Sequence, residues 1–418
     1  MQQKKLKIAI FADNFLPQVN GVVTSIYNLV KGMSEKGHKV LVIVPKYRKY
    51  TYPDFGPNVE IMSVRSAPAL FYADLKMTTP FNRRIFKAVR DGDFDILHFH
   101  APMMLGFQAL LISRALKKPL IGTFHTFFGE KEYLKHAKLD YGFVQDLAWN
   151  YSRLYYNRCD LVTTPTEAAR NILVDNGINK PTVAISNGID PTQFKNGNAE
   201  ALRKKYAKKA GPLAIYVGRI AHEKNLNLLV DAFKKVVQKV PNARLLLVGG
   251  GPQARSLQKH ILKNDLADSV KMLGVIPHDE LVNSGLYKAC DLFMTASKTE
   301  TQQLTILEAM VNGLACVGVN AKGVPDMIKN DQNGFCVEPD NVEQIADATI
   351  KIFTDKNLMQ KMKKGSLELA KEHFIENVIS RWEKTYFEVK KSFKPDYGLI
   401  GNGIGKLTRH KKTASTKR

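Results

Sequence analysis

Short apolar runs alternate with helical patterns along almost the whole chain, and this alternation constrains the fold more than any other feature. The runs lie at 6–12, 39–45, 94–100, 119–125 and 160–165 in the first half, and at 213–218, 244–250, 270–274, 291–297 and 315–320 in the second. Runs that are apolar at nearly every position are typical of parallel strands, because helices cover both faces of a parallel sheet. The sequence therefore predicts two doubly wound α/β domains.

A turn-rich segment between the two sets of strands indicates where the domains meet. This segment, ISNGIDPTQFKNGNAE at 185–200, is rich in the Gly, Asn, Asp and Pro residues that favour turns. We expect a first domain over 1–190, a second over 191–375 and a final helical segment over 376–395. The tail over 396–418 is predicted to be disordered, because its last 18 residues contain six Lys or Arg and no acid.

The net charge of +23 suggests a polyanionic neighbour, such as nucleic acid, an anionic membrane surface or phosphorylated substrates. Solvated surface charge is the alternative, and because no nucleic-acid-binding motif is recognisable, we expect no nucleic-acid partner. The four cysteines form no C-x-x-C pair, which favours a reducing compartment. We find no signal peptide and no run of the ~18 apolar residues needed to span a bilayer. The expectation is a cytoplasmic protein, soluble or peripheral to a membrane.

Two cations follow the first predicted strand of the second half, in the stretch YVGRIAHEKN. Arg219 comes directly after the strand, and Lys224 lies five residues later at the start of a helix. Ligands of doubly wound domains bind at the carboxyl ends of strands, and two positioned cations there suit a diphosphate. An ordinary basic loop is the alternative.

A second stretch, ETQQLTILEAM, places carboxylates around a predicted helix start. Glu300 lies in the loop, and Glu308 falls among the apolar positions of the helix that follows. Backbone N–H groups near Gln303 and Leu304 can receive phosphate oxygens at the helix start. Because a buried carboxylate needs hydrogen-bond donors, a sugar diol would suit Glu308. Snorkelling to solvent, or pairing with an arginine, is the alternative.

The first half offers candidate residues at the ends of its own strands. His125 follows a strand in GTFHTFF and is a cleft residue or a buried core histidine. His98 and His100 share one face of a strand, but because no third ligand is evident we expect no metal. Gly21, in NGVV, permits close backbone approach at a helix start. Neither G-x-G-x-x-G nor a P-loop is present, which argues against a dinucleotide oxidoreductase and an NTPase.

Four motifs occur in order along the chain: N-G-V-V, T-F-H-T, G-R-x-x-x-E-K and the E-x7-E pair. Together they resemble the motifs of glycosyltransferase family 4, over about residues 6–390. The resemblance implies the GT-B fold, in which two Rossmann-like domains face a cleft and a C-terminal helix crosses back to the first domain. It also implies retaining transfer from a nucleotide sugar, with no metal or other cofactor.

FLPQVNGVVTSIYNL and S-x-T-E-T-Q-x-L-T are most similar to the diacylglycerol glucosyltransferases within that family. This similarity implies transfer of glucose from UDP-glucose to a membrane lipid such as 1,2-diacylglycerol. The alternative is a different acceptor, such as phosphatidylinositol, a polyprenyl-linked sugar or a soluble glycan. GDP-mannose is a possible donor in that case. Lipid relatives usually carry Gly where this chain has Gln303, whose side chain could crowd the sugar. Many relatives have an acid where Ala101 follows H-x-H.

The resemblance further implies a role for each candidate residue. The donor diphosphate would be held by Arg219 and Lys224 and faced by Gly21 and the helix start at Gln303 and Leu304. Glu308 would bind the ribose hydroxyls. The transferred sugar would contact Glu300 and, near its reactive carbon, His125. The residues expected to act in catalysis are His125, Arg219, Lys224 and Glu300.

The acceptor side is expected on the first domain, in the stretch PFNRRIFKAVR at 80–90. Its apolar residues Phe81, Ile85, Ala88 and Val89 share one helical face, and its cations are Arg83, Arg84, Lys87 and Arg90. This pattern is typical of an interfacial helix on anionic lipid. An ordinary surface helix with its apolar face in the core is the alternative. The aromatic-rich stretch from Tyr133 to Tyr156 is either additional apolar surface or a packed helix.

Overall fold

The computed structural model describes residues 5–18, 20–47, 50–69, 72–127, 142–194 and 197–395, and it confirms the predicted α/β class. Two parallel sheets of seven and six strands form the centres of two domains. The tail predicted to be disordered, 396–418, lies outside the described residues, as does the first part of the aromatic-rich stretch.

The first sheet has the strand order β3-β2-β1-β6-β7-β8-β9. Its strands are β1 (Lys7–Phe11), β2 (Lys39–Pro45), β3 (Val59–Val64), β6 (Ile96–Phe99), β7 (Leu120–Thr123), β8 (Leu161–Thr164) and β9 (Thr182–Ala184). A separate antiparallel hairpin consists of β4 (Ser66–Ala69) and β5 (Tyr72–Thr78). β1 pairs in parallel with β2 and β6, and the chain order reverses between these two neighbours. Such a reversal opens a ligand crevice at the carboxyl ends of the strands.

The second sheet has the order β12-β11-β10-β13-β14-β15. Its strands are β10 (Leu213–Val217), β11 (Arg244–Val248), β12 (Val270–Gly274), β13 (Leu292–Met294), β14 (Ala315–Val319) and β15 (Gly334–Val337). Here the order reverses at β10, which is paired with β11 and β13. The turn-rich segment at 185–200 lies between the last strand of the first sheet and the first strand of the second.

Helices cover both sheets. In the first domain they are α1 (Gly21–Glu35), α2 (Arg83–Gly92), α3 (Met104–Leu116), α4 (Gly142–Tyr156) and α5 (Glu167–Asp175). The second domain has α6 (Ala199–Tyr206), α7 (Leu226–Lys239), α8 (Ala254–Lys263), α9 (His278–Ser284), α10 (Leu286–Ala289), α11 (Leu304–Val311), α12 (Val324–Met327), α13 (Val342–Thr354) and α14 (Lys356–Ala370). The last helix is α15 (Ile375–Ser392).

Helix α15 crosses back to the first domain, as the resemblance implied. Trp382 and Tyr386 lie in the same buried cluster as Ile8 and Ile26 of the first domain. At the surface of this contact, Glu383 accepts a hydrogen bond from Lys36 Nζ at 2.7 Å. The helix therefore belongs to the core of the first domain although the chain reaches it only after the second.

The strands that sequence patterns did not predict are β3, β9, β15 and the β4–β5 hairpin. β3 has a single fully buried residue, Val64, and β9 has none. β3 and β9 form the two edges of the first sheet, where one flank is unpaired and less apolar surface is covered. Such strands lack the continuous apolar run by which the inner strands were recognised.

Helix α2 turns its apolar face inward, as the alternative held. Ile85 and Val89 are buried in the core of the first domain. Arg83, Lys87 and Arg90 lie on the exposed face. The part of the expectation that put Ile85 and Val89 against lipid is therefore wrong, because the core covers them, whereas Phe81 is half exposed. The exposed basic face of the helix remains.

Candidate active site

Two helix starts face each other between the domains. Asn20 Oδ1 caps α1 by accepting from Val22 N and Val23 N at 3.1 and 3.0 Å. A Cβ built on Gly21 would lie 3.5 Å from Cδ1 of Leu304, the first residue of α11. Helix starts carry partial positive charge, so this pair of termini is suited to phosphate oxygens. Gly21 and Leu304, predicted separately, are thus brought together.

Lys224 forms an ion pair with Glu300 Oε1. Both side chains are largely buried, with 15% and 14% of their surface exposed. Ser297 Oγ also donates to Glu300 Oε1, at 2.8 Å. The structure therefore joins two predicted site residues directly and positions Glu300 through Ser297.

Arg219 lies at the end of β10 and pairs with Glu223 Oε1. The Arg219 side chain is half exposed, whereas that of Glu223 is almost fully buried. Burial pushes the pKa of Glu223 upward, but its backbone hydrogen bond, Arg219 and Lys224 together lower it below the usual value. Glu223 is therefore ionised and orients Arg219. Sequence reasoning gave Glu223 no role, although it directly precedes Lys224 in the motif.

Glu308 has partners that sequence reasoning missed. The carboxylate accepts a hydrogen bond from Tyr287 Oη at 2.5 Å, and Nε2 of His278 lies 3.0 Å from its other oxygen. The hydrogen bond to Glu308 raises the pKa of His278. Sequence reasoning offered an arginine as the alternative partner of Glu308, whereas the structure gives it partners in α9 and α10. Because each carboxylate oxygen has two lone pairs, Glu308 can still accept from ligand hydroxyls.

The loop containing Gln303 joins the two domains. Thr301 Oγ1 donates to the backbone oxygen of His125 at 2.6 Å, and Gln302 Oε1 accepts from Asn187 N at 2.8 Å. The amide of Gln303 bonds Thr295 Oγ1 at 3.0 Å and Thr305 Oγ1 at 3.1 Å. The oxygen and the nitrogen of this amide are both hydrogen-bonded within the second domain. These contacts give no support to the expectation that Gln303 could crowd a sugar. The same loop places Thr301, which follows Glu300 in the chain, against the backbone of His125.

His125 belongs to a buried row of histidines. Its Nε2 lies 3.0 Å from Nδ1 of His100, and the rings of His100 and His98 are 4.1 Å apart. His98 in turn contacts Tyr386 Oη at 2.8 Å and Thr123 Oγ1 at 2.6 Å. Within the described residues, no group of three or more His, Cys, Asp or Glu is arranged to hold a metal ion. His98 and His100 therefore share a strand face as members of a buried hydrogen-bonded group with His125, Thr123 and Tyr386.

Burial lowers the pKa of each of these histidines. The pKa falls to about 4 for His125 and about 3 for His98. The pKa of His100 also lies well below its usual value. All three rings are therefore neutral at pH 7, and His125 is an uncharged hydrogen-bonding group rather than a cation.

The tautomer of His125 follows from its neighbour. His100 Nε2 is buried without a hydrogen-bond partner among the described residues. A buried N–H without an acceptor is rarer than an unpaired acceptor, which favours His100 protonated on Nδ1 and donating to His125. His125 then carries its own proton on Nδ1.

Comparison with known proteins agrees with this geometry. The model of Glycosyltransferase Family 4 matches residues 19–193, and that of Glycosyl transferases group 1 matches residues 198–368. Between them they cover nearly all of both domains.

Several curated proteins are similar to the chain. An alpha-monoglucosyldiacylglycerol synthase of Streptococcus pneumoniae is 28% identical over 74% of this chain and 70% of its own length. A protein of the same name from Acholeplasma laidlawii is 26% identical over 91% of this chain and 96% of its own. A GDP-mannose-dependent alpha-mannosyltransferase of Corynebacterium glutamicum is 25% identical over 92% and 90%.

Solved structures share the fold. Anabaena HepE, crystallised with UDP, superposes with a TM-score of 0.72 at 18% identity and covers 92% of this chain and 100% of its own. At this identity the likeness supports the two-domain GT-B architecture.

Proposed function

Because the chain belongs to glycosyltransferase family 4 and is a glycosyltransferase, we propose that it transfers glucose from UDP-glucose to a membrane lipid such as 1,2-diacylglycerol, with retention of configuration. The observation that carries the proposal is the pairing of Lys224 with Glu300 in the loop that leads to the helix start at Leu304, which in turn contacts the helix start at Gly21. A cation and two helix starts, one from each domain, would together form the donor site.

The donor diphosphate would lie between Arg219, Lys224 and the two helix starts. Arg219 is half exposed and held by ionised Glu223, so its guanidinium would be positioned before an anion arrives. Lys224 would be shared between Glu300 and a phosphate oxygen. Charge-assisted hydrogen bonds of this kind are about twice as strong as neutral ones.

The two glutamates and His125 would hold the sugar ends of the donor. Glu308 would bind the ribose hydroxyls with the lone pairs that Tyr287 and His278 leave available. Glu300 would accept from hydroxyls of the transferred glucose. His125 lies beside the Glu300 loop and would donate a neutral hydrogen bond near the reactive carbon.

Transfer requires stabilisation of the nucleotide diphosphate as its bond to glucose breaks. Arg219, Lys224 and the helix starts would supply that stabilisation without a metal. The acceptor hydroxyl would attack from the same face, and the departing phosphate would take its proton. Closure of the two domains would exclude water, which otherwise hydrolyses the donor.

The acceptor assignment is supported by two relatives named alpha-monoglucosyldiacylglycerol synthase and by the exposed cations of α2. Arg83, Arg84, Lys87 and Arg90 would attract an anionic membrane surface at roughly 1 kcal/mol per charge. No helix in the described part of the chain is both long and apolar enough to cross a bilayer. From the names of these relatives and the exposed cations, we propose that the enzyme is cytoplasmic and associates with the membrane peripherally.

A comparison of donors by thermal shift tests the cleft assignment. UDP-glucose should raise the midpoint of thermal unfolding of the wild-type protein, because a ligand that binds only the folded state stabilises it. Lys224→Gln should lose most of this shift, whereas the exposed Lys204→Gln on α6 should retain it. Equal shifts in both variants, or no shift with any nucleotide sugar, would contradict the proposal.

A second candidate keeps the chemistry and changes both substrates. The Corynebacterium glutamicum relative is named for its dependence on GDP-mannose, which favours a mannosyltransferase acting on a different acceptor. A larger stabilisation by GDP-mannose than by UDP-glucose, with no product on diacylglycerol, would select this alternative.

A further inference from the structure

The carboxyl ends of β2 and β3 border a cavity outside the proposed donor cleft. Its volume is about 800 Å³, and four cationic side chains line it: Lys46, Arg65, Arg84 and Lys87. Among the described residues of its lining, the one acid is Asp91, which accepts a hydrogen bond from Arg90 Nε at 2.8 Å. The cavity is therefore positive, because its carboxylate is already paired with a cation from outside the lining.

Strand register places two of these cations side by side. β2 and β3 run parallel with Pro45 opposite Val64, so Lys46 and Arg65 are the next residues on adjacent strands. Lys46 N donates to Val64 O at 2.7 Å, which continues the pairing beyond the strand end. Backbones paired in this way are about 5 Å apart. Like charges on neighbouring strands repel each other, and an anion between them would relieve the repulsion.

The other two cations come from the first turns of α2. Arg84 and Lys87 are three residues apart and so project from the same face of the helix. Asn82 caps the helix by accepting from Arg84 N at 2.9 Å. Thr79 also lines the cavity, and its backbone oxygen accepts from Gln108 Nε2 at 2.7 Å. The ends of two strands and the start of α2 therefore supply the four cations that line the cavity.

We propose that this cavity binds a phosphate group, as a monoester or diester, presented beside the acceptor. Arginine guanidinium groups match phosphate with paired hydrogen bonds, and Arg65 and Arg84 can bind it from two sides. Met62, Val64 and Ala88 add an apolar wall for the carbon skeleton of the ester. The inference deepens the proposed function, on which it rests for the assignment of this face to the acceptor.

The position of the cavity fits an acceptor-side site. β3 is two strands from β1, and the loop after β1 leads to Gly21 at the donor cleft. Two strand spacings amount to about 10 Å. Because both sites are at the carboxyl edge of one sheet, a lipid phosphate in the cavity would hold neighbouring lipid close to the cleft.

A matched pair of variants separates a phosphate pocket from diffuse surface charge. Arg84→Gln/Lys87→Gln removes two cations that line the cavity. Arg83→Gln/Arg90→Gln removes two exposed cations from the same helix that do not line the cavity, and both double variants also carry Asp91→Asn because Arg90 pairs with Asp91 of the lining. If surface charge alone attracted the membrane, the two double variants would lose binding equally.

Binding is measured by co-sedimentation with vesicles of phosphatidylcholine containing phosphatidylglycerol, without any nucleotide sugar. We expect the wild-type protein to bind, and the Arg84→Gln/Lys87→Gln variant to bind at least about tenfold more weakly than Arg83→Gln/Arg90→Gln. An equal loss of vesicle binding in both variants, or no loss in either, would overturn the proposal that the cavity binds phosphate.

A second experiment, with soluble phosphate compounds, identifies the source of the phosphate. Inorganic phosphate and glycerol 3-phosphate are titrated calorimetrically against the same proteins. Weak soluble binding with pocket-dependent vesicle binding assigns a lipid headgroup, whereas soluble binding that the Arg84→Gln/Lys87→Gln variant abolishes assigns a free phosphate ester. The absence of any pocket-dependent binding in both arms refutes the inference. Because UDP-glucose thermal shift is recorded separately, failure of the pocket is distinguishable from failure of the donor assignment.

Discussion

Glu308 is a carboxylate on the inner side of a short helix, with only 5% of its surface exposed. Tyr287 and His278 make this burial tolerable, because each supplies a hydrogen bond to one carboxylate oxygen. Neither partner is close to Glu308 in the sequence, and no local pattern indicates them. The position of Glu308 could be predicted from the motif, whereas the residues that hold it could not.

Replacement of Glu308 tests its proposed contact with ribose. Glu308→Gln removes the charge while keeping the side-chain shape, and we expect the KM for UDP-glucose to rise about 10- to 100-fold because hydrogen bonds to charged groups are the strong ones. Steady-state kinetics with saturating acceptor gives KM and kcat separately. Tyr287→Phe is the matched variant, since it removes one support and keeps the carboxylate. An unchanged KM in Glu308→Gln would exclude the ribose contact.

The neutral histidines make stability depend on pH. A histidine whose pKa is lower in the folded chain than in the unfolded chain stabilises the fold fully above about pH 6.5, and this contribution is lost as the pH falls toward the folded pKa. Between pH 7.5 and 5.5 we expect each such histidine, His125 and His98 included, to lower the free energy of unfolding by about 1.3 kcal/mol.

Urea unfolding at the two pH values checks this expectation. His125→Asn should lose less stability on acidification than the wild-type protein, by the contribution of one histidine. The exposed His222→Asn serves as control and should behave like wild type. If His125→Asn and wild type lost equal stability, His125 would not be a buried neutral group.

At the scale of the elements, most of the architecture could be predicted from apolar runs, because inner parallel strands are covered on both faces. β2 and β12 have the bounds that their sequence patterns gave. β3 and β9 were missed, since edge strands need fewer apolar residues. For α2 the sequence showed an apolar face but not what covers it, and the structure places Ile85 in the core. Periodicity defines a face, whereas only tertiary contacts define its partner.

The contact between α1 and α15 depends on one glycine. A Cβ at Gly32 would lie 2.4 Å from Cγ1 of Ile379, closer than carbon atoms approach. We expect Gly32→Ala to destabilise the fold by about 1–3 kcal/mol, measured by denaturant unfolding, because the crossing helix must shift. Gly21→Ala, whose added carbon has ordinary contact with Leu304, is the control and should unfold like wild type. Equal stability of the two variants would show that α15 does not pack against α1 in this way.

At the scale of the whole molecule, the ties between the domains include one loop and one returning helix. The loop at 300–303 bonds to the first domain through Thr301 and Gln302, and α15 returns to the first domain with Tyr386 against His98. A donor bound between the domains would engage Gly21 on one side and Leu304 on the other. Donor binding and domain closure are therefore expected to be linked.

The measurement that tests the central claim most directly is the product itself. The protein is incubated with UDP-glucose carrying isotopic label in the sugar and with 1,2-diacylglycerol in vesicles containing phosphatidylglycerol, beside Lys224→Gln. We predict a labelled glucolipid whose anomeric proton shows the α configuration of the donor, with formation slowed about 100-fold or more in the variant. Release of UDP without glucolipid, a β-linked product, or equal rates in both proteins would contradict the account.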